Sequence, residues 1–269
     1  MTEPPERKLE QLRVDRPADG VVVVTLDQAD RRNAMSPPMT RSWTGVMAEL
    51  RADRSVRCVV VTGAGTAFCA GGELGWLASD PSAGVDGLRD RMLPFYRNWL
   101  SIRELEVPTI AAINGPAIGA GLCLALAADL RYAAEDAPLS MPFTGLGMHP
   151  GMAATWLVPN IAGLGVATEL LLTGRSVTGA EAVPLGLVNR AFSAADLLPA
   201  VLELAGSIAA KAPIATRLTK AALAAGGHAT IEAALQWEAL AQPITLATRD
   251  FQEGLAAVRD KRAPRFTGN

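Results

Sequence analysis

Four short runs decide most of what this chain can become: VVVVTLD (21–27), VRCVVVTG (56–63), PTIAAING (108–115) and DLRYAA (129–134). They are apolar with little polar alternation, so they predict strands whose two faces are both covered. Helical patterns lie between them. SPPMTRSWTGVMAELRAD (36–53) has a serine cap, prolines in its first turn and apolar residues at helical spacing. LRDRMLPFYRNWLSIRELE (88–106) reads as an amphipathic helix, in which Pro94 predicts a kink or a split. GAGLCLALAADL (119–130) opens on glycines and runs into an almost wholly apolar helix. Buried strands alternating with helices predict an α/β fold with parallel pairing.

The pattern changes after LVNRAF (187–192). Residues 195–262 read as three or four helices with breaks at Pro213, Gly226–Gly227 and Pro243. The expected organisation is an α/β core over 1–194 and a helical region over 195–269. LASDPSAGVDG (77–87) reads as a mobile loop.

Composition excludes several classes of function. Apolar residues make up 49% of the 269 positions, enough for a sizeable core. A net charge of −2 with no Lys/Arg block argues against a nucleic-acid partner. The three cysteines, Cys58, Cys69 and Cys123, form no CxxC, so neither a disulfide framework nor a metal site is expected. The longest apolar run, near 116–128, contains glycines and ends at Asp129, so it reads as a buried helix and no membrane insertion is expected. The polar N-terminus lacks an apolar signal core, and the expectation is a soluble cytoplasmic protein.

Two glycine-rich turns carry the chemistry: FCAGGEL (68–74) and NGPAIGAG (114–121). Each follows a buried strand and opens a helix, where free N–H groups can receive an anion. Two such turns facing one point make an oxyanion hole; the plainer alternative is that the glycines only allow tight strand–helix packing.

The chain resembles the enoyl-CoA hydratase/isomerase, or crotonase, superfamily. The matching pieces are LDQADRRNAMS (26–36), GAGTAFCAGGEL (63–74), PTIAAINGPAIGAG (108–121), AADLRYAAEDA (127–137), GMHPGMAATWLVP (147–159), LLTGRSVTGAEAVPLGLVNRAF (171–192) and DFQEGLAAVRDKRAPRF (250–266), in the family's order. The resemblance implies a spiral of ββα turns completed by a C-terminal helical region that serves trimerisation. It implies a homotrimer or a dimer of trimers, no permanently bound cofactor, and a coenzyme A thioester as ligand. It also implies an enolate held by two main-chain N–H groups, which fall by position at Ala70 and Ala120. Arg31 and Arg32 match the stretch near the coenzyme A phosphates, and Lys261 matches a position that reaches a neighbouring subunit's nucleotide.

The resemblance also exposes a gap. Relatives use two glutamates, and alignment puts Cys123 and Phe143 in their places. Neither does a carboxylate's work, so ordinary hydration of crotonyl-CoA is expected to be weak or absent. His149, in GMHPG, borders the vacated second position, and an imidazole can take up and return a proton, which makes it the candidate acid/base; its alternative is a helix-capping residue. Glu73 reads as holding the first turn, Thr144 as a hydrogen-bond donor, Asp129 as a residue orienting a strand, and His228 as a loop residue. Trp76, Leu77, Met92, Phe95, Phe143 and Trp156 suggest a greasy acyl side, and an aromatic at 143 favours an apolar acyl group over a hydroxylated one. Three functions stay open: an acyl-CoA lyase or isomerase with a relocated acid/base, a non-catalytic fatty acyl-CoA binding protein, and an assembly partner in a larger lipid-metabolic complex.

Overall fold

The computed structural model describes residues 9–78, 82–224 and 230–269. Along the chain come β1 (Leu12–Ala18), β2 (Val21–Leu26), α1 (Pro37–Ala52), β3 (Cys58–Gly63), α2 (Leu74–Leu77) and α3 (Val85–Leu100). Then follow β4 (Thr109–Ile113), β5 (Ala117–Ile118), α4 (Ala120–Ala127), β6 (Leu130–Ala134), β7 (Leu139–Ser140) and α5 (Ala154–Thr173). The chain continues through β8 (Ser176–Val177), α6 (Gly179–Ala182), β9 (Arg190–Phe192), α7 (Ala194–Ala209), α8 (Pro213–Ala224), α9 (Ile231–Leu246) and α10 (Arg249–Asp260).

One sheet has the order β1-β2-β3-β4-β6-β9, and a small one has β5-β7-β8. From β2 to β9 the large sheet is parallel, with Val22 opposite Val59, Val60 opposite Ile110 and Ala112 opposite Tyr132. β2 and β3 are buried at every residue, as their unbroken apolar runs require. The ββα turns are visible directly. β4 enters the large sheet, β5 the small sheet and α4 follows; β6, β7 and α5 repeat the pattern. Cys69 bridges to Ala117, which ties the loop after β3 into the same scheme.

Local chemistry explains the helix starts. Ser36 Oγ accepts the Met39 N–H at 3.2 Å, and Pro37 and Pro38 fill the positions that need no donor. Trp43 of α1 stacks on Trp99 of α3, with ring centroids 5.0 Å apart. That packing holds α3 as one helix with Pro94 inside it, where the sequence predicted a break. Pro243 likewise lies inside α9, which continues to Leu246. Pro213 opens α8, as expected, and Gly226–Gly227 lie outside the described residues.

Three features depart from the sequence expectation. β1 reads as a charged N-terminal stretch, yet it pairs antiparallel with β2. Its Arg13 and Asp15 form an ion pair at 2.7 Å on a sheet edge, where charge discourages pairing with another chain. The longest apolar helix is α5, not the run near 116–128: it has 20 residues and a mean hydropathy of 1.3, long and apolar enough to cross a membrane by those measures alone. It is broken at Gly163 (φ 81°, ψ 162°), buries Ala154, Leu157, Val158, Ala167, Leu170 and Leu171, and leaves Trp156, Leu164 and Leu172 exposed. Finally, α7 buries Leu197, Val201, Ala205 and Ala209 while packing across β3, β4 and β6, so the first helix of the tail closes the sheet's core.

Candidate active site

Two asparagines build the first turn. Asn33 is fully buried; its Oδ1 accepts the Gln28 N–H at 2.9 Å, and its Nδ2 donates to the carbonyls of Ala64 (2.9 Å) and Ala67 (2.8 Å). Asn114 Oδ1 accepts the Gly63 N–H at 3.0 Å, and its Nδ2 donates to the Gly63 carbonyl at 2.9 Å. Both lie in the blocks read from the sequence, and both join segments distant along the chain. Their role becomes visible only once the loops meet.

The second turn opens α4. Ala120 is the first residue of that helix, so no intrahelical carbonyl lies where its N–H points. The first turn passes directly beside it. A Cβ placed on Gly71 (φ 91°) would stand 3.4 Å from the Ala120 nitrogen and 2.6 Å from the Ile118 carbonyl oxygen, so only glycine fits there.

The structure corrects the residue assigned to the first turn. The Ala70 N–H donates to the Arg32 carbonyl at 2.9 Å and is not available to a ligand. Met35 N–H donates to the Gly71 carbonyl, and Glu73 N–H donates to the Met35 carbonyl. Alternation along an extended backbone then turns the Gly72 N–H to the opposite side, and it meets no protein acceptor among the described residues. Gly72 and Ala120 both line one cleft of about 650 Å³, its mouth included.

Apolar side chains dominate that cleft: Met92, Phe95, Ile118, Phe143, Leu146 and Met148 are among them. Met92, Phe95 and Phe143 answer the sequence reading. Trp76 packs behind Phe95, with ring centroids 4.8 Å apart. Trp156 does not belong: it is 52% exposed, with the Arg103 guanidinium 4.9 Å from its ring centre. The side chain of Leu77 and the whole of His228 lie outside the described residues. Phe143 stacks its ring edge toward Gly119, 3.6 Å from where a Cβ would stand.

His149 is exposed and lines the cleft, and its Nδ1 lies 2.8 Å from the Pro150 carbonyl. A carbonyl can only accept, so Nδ1 carries the proton and Nε2 of the neutral ring is left as the base. Its segment is strained: Met152 (φ 49°) and Ala153 (φ 56°) are consecutive left-handed non-glycine residues, matched across the site by Arg32 (φ 50°) and Asn33 (φ 55°). Other candidates fall away from the cleft. Glu73 does not line it. Thr144 Oγ donates to the Leu172 carbonyl at 3.2 Å. Asp129 does orient a strand, accepting the Thr109 N–H at 2.7 Å, and it also pairs with Lys220 of α8 at 2.7 Å, a partner that the sequence did not indicate.

Arg31 and Arg32 are exposed, and the Arg32 carbonyl anchors the first turn. Lys261 ends α10 in a left-handed conformation and is not among the residues of the cleft. The described residues contain no cluster of His, Cys, Asp and Glu suited to a metal ion.

Cys123 is fully buried, and its thiol faces the Gly151 carbonyl at 3.7 Å. Burial pushes this thiol from the ordinary 9.0 up to about 12, and it does the same to Cys69 and to Cys58, where nearby Asp129 adds to the effect. At pH 8 that rise lowers the thiolate fraction about a thousandfold. A disulfide reagent at pH 8 should therefore label none of the three thiols in the folded protein and all three in denaturant. Fast labelling of Cys123 in the native protein would contradict this placement. The same shifts make stability fall as pH rises from about 9 toward about 12, because the unfolded thiols ionise first.

Comparison with known proteins converges on one family. The model of the family described as enoyl-CoA hydratase/isomerase matches residues 16–269. The human enoyl-CoA hydratase domain-containing protein 2, mitochondrial, is 36% identical over 257 residues, covering 94% of this chain and 87% of that protein. The crystal structure of enoyl-CoA hydratase from Bacillus anthracis superposes with a TM-score of 0.91 at 33% identity, covering 97% of this chain and all of that one (100%). An enoyl-CoA hydratase from Polaromonas sp. JS666 gives 0.88 at 30% identity, covering 95% and 99%.

Proposed function

The chain belongs to the enoyl-CoA hydratase/isomerase family, and from that premise we propose that it binds a fatty acyl- or enoyl-CoA thioester with the carbonyl oxygen between the N–H groups of Gly72 and Ala120. The observation that carries this reading is the pair of unengaged amides on one cleft wall, brought together by the close passage of Gly71. Such donors stabilise the charge that gathers on a thioester oxygen as it becomes an enolate, and losing one costs about 10²–10³ in rate elsewhere.

Proton transfer falls to His149. Its Nε2 removes an α-proton, the C–H electrons move into the enolate, and the same ring returns the proton to the α- or γ-carbon. A single base suffices for that shuttle, which is isomerisation of an enoyl thioester; hydration requires a second group to activate water. Arg31 and Arg32, exposed on the segment bonded to the first turn, serve the coenzyme A phosphates, and Lys261 serves the nucleotide of a neighbouring subunit. The exposed apolar residues of the tail, Leu223, Ile231, Leu240 and Val258 among them, support the homotrimer or dimer of trimers, which the mass in solution checks.

A specific observation supports a second reading, a non-catalytic acyl-CoA binding protein: among the described residues no carboxylate lines the cleft, and the Cys123 thiol is buried and protonated. His149→Ala separates the two. Titrated with saturated and enoyl-CoA thioesters and scored for turnover in the same tubes, a relocated-base enzyme loses about 10²–10⁴ in rate and keeps its affinity. A pure binder shows no turnover before or after the change. Failure of every thioester to bind the wild-type protein would remove both readings.

A further inference from the structure

Among the described residues Arg131 is the one arginine that is buried, at 8% exposure. It stands at the start of β6, opposite Ala111 of β4. Its guanidinium is committed to carbonyls. Nε donates to the Leu187 carbonyl at 2.8 Å; Nη1 donates to the Ala128 carbonyl at 2.8 Å and, more weakly, to that of Asp129 at 3.4 Å. Burial pulls its pKa below the ordinary 12.5 and nearby Asp129 opposes that shift, so the group keeps its charge where solvent screens it little.

Ala128 gives the cation its meaning. It is the residue that ends α4, the eight-residue helix that begins at Ala120. The carbonyl end of a helix carries partial negative charge and the amide end partial positive charge. Arg131 therefore covers the negative pole of the helix whose positive pole opens on the cleft. Its neighbours do not cancel it. Asp129 is the acid beside it, and the Asp129 carboxylate is already paired with the Lys220 ammonium at 2.7 Å. Arg131 and Lys220 thus set two positive charges against the single negative charge of Asp129. A helix of this length spans about 12 Å, which puts the guanidinium roughly 12–15 Å from the Ala120 amide. At an effective dielectric of about 20, a unit charge at that distance changes the stability of an anion roughly five- to tenfold.

We infer that Arg131 is a positioning residue for the proposed thioester seat: it holds the far end of α4, and its surplus charge strengthens the pull of the Ala120 end on an oxygen that gains negative charge. The inference rests on the proposed binding of a thioester between Gly72 and Ala120. Arg131 touches no ligand, so the effect holds for a pure binder as well as for an enzyme.

The probe is acetoacetyl-CoA, a β-keto thioester that becomes an enolate by losing its α-proton and then absorbs in the near ultraviolet. Absorbance is followed against pH with the probe free and saturated by the wild-type protein, Arg131→Met, Arg131→Lys and Asp129→Asn. The wild type should bring proton loss to a lower pH than in the free thioester. Arg131→Met should raise the bound value by roughly 0.7–1 pH unit, the same five- to tenfold. Arg131→Lys keeps the charge and should keep most of the wild-type value. Asp129→Asn removes the negative charge and should lower the value, a direction that loosened packing does not produce. A value that stays put in Arg131→Met, that shifts as far in Arg131→Lys, or that rises in Asp129→Asn would overturn the inference and leave the thioester reading standing. Should Arg131→Met not fold, Asp129→Asn decides alone, and an unchanged value there overturns the inference. A wild type that does not bind the probe, or binds it without lowering its proton loss, would remove the proposed seat and this inference with it.

Discussion

Crotonyl-CoA mixed with this protein is expected to be hydrated at least about 10²-fold more slowly than by a relative carrying both family carboxylates. Hydration needs one group to take a proton from water as it attacks the β-carbon and another to protonate the α-carbon. Each such group is typically worth about 10²–10⁴, and losses within one catalytic unit do not simply multiply, so the lower bound is the safer expectation. The structure sharpens the case at both positions. Cys123 is fully buried with its thiol held protonated, and Phe143 turns its ring toward Gly119 on the cleft wall. His149 can move one proton at a time, and its base nitrogen is the only one its ring offers while Nδ1 donates to Pro150. The assay follows loss of the enoyl thioester's absorbance, with the relative run beside it. A rate within tenfold of that relative would mean that another pair of groups does the work, and the assignment of vacancies at 123 and 143 would fall.

Installing carboxylates should not simply restore the reaction. Phe143 is half-buried and lines the cleft, so Phe143→Glu has solvent to meet. Cys123 sits in a helix buried along nearly its whole length, and a glutamate there would bring a charge into buried surroundings.

How far the sequence could be read follows from the range of the interactions. The four central strands, the α1 cap and the parallel pairing rest on local composition, and they were legible. The two glycine turns were legible from their own residues, whereas the ββα scheme came through resemblance and is met in the structure. What local patterns could not reveal was which amide of the first turn stays unengaged. That depends on the Arg32 carbonyl arriving from another segment to occupy Ala70 and on Met35 turning Gly72 outward. β1 was hidden by its own charges, which suit a sheet edge and imitate a polar tail. Trp156 shows the opposite error, an apolar residue in a family block whose side chain points to Arg103 and solvent.

Gly121→Ala should be among the most damaging single methyl groups added to the site. Its Cβ would stand 2.2 Å from the Cys69 carbonyl oxygen and 2.8 Å from the Cys69 Cβ. That oxygen is backbone, held in place by the Ile118 N–H, so it cannot swing aside as a flexible side chain would. The helix α4 must then move off the first turn, and Ala120 moves with it. Overpacking of this kind costs about 1–3 kcal/mol and more where backbone meets backbone, so the melting temperature should fall by several degrees. The loss of ligand should exceed what destabilisation alone explains, because two amides that converge on one oxygen tolerate little displacement: a shift of about 1 Å is worth roughly 10²-fold in a well-aligned site. Gly206→Ala supplies the control. It lies in α7 with no atom within 4 Å of its Cβ position, and exchanging glycine for alanine inside a helix stabilises by about 0.5–1 kcal/mol. Acyl-CoA titrations and melting curves on the two variants separate the possibilities. If Gly121→Ala binds the thioester as the wild type does, the distance between the two turns does not matter to the ligand, and the pairing of Gly72 with Ala120 is not its seat.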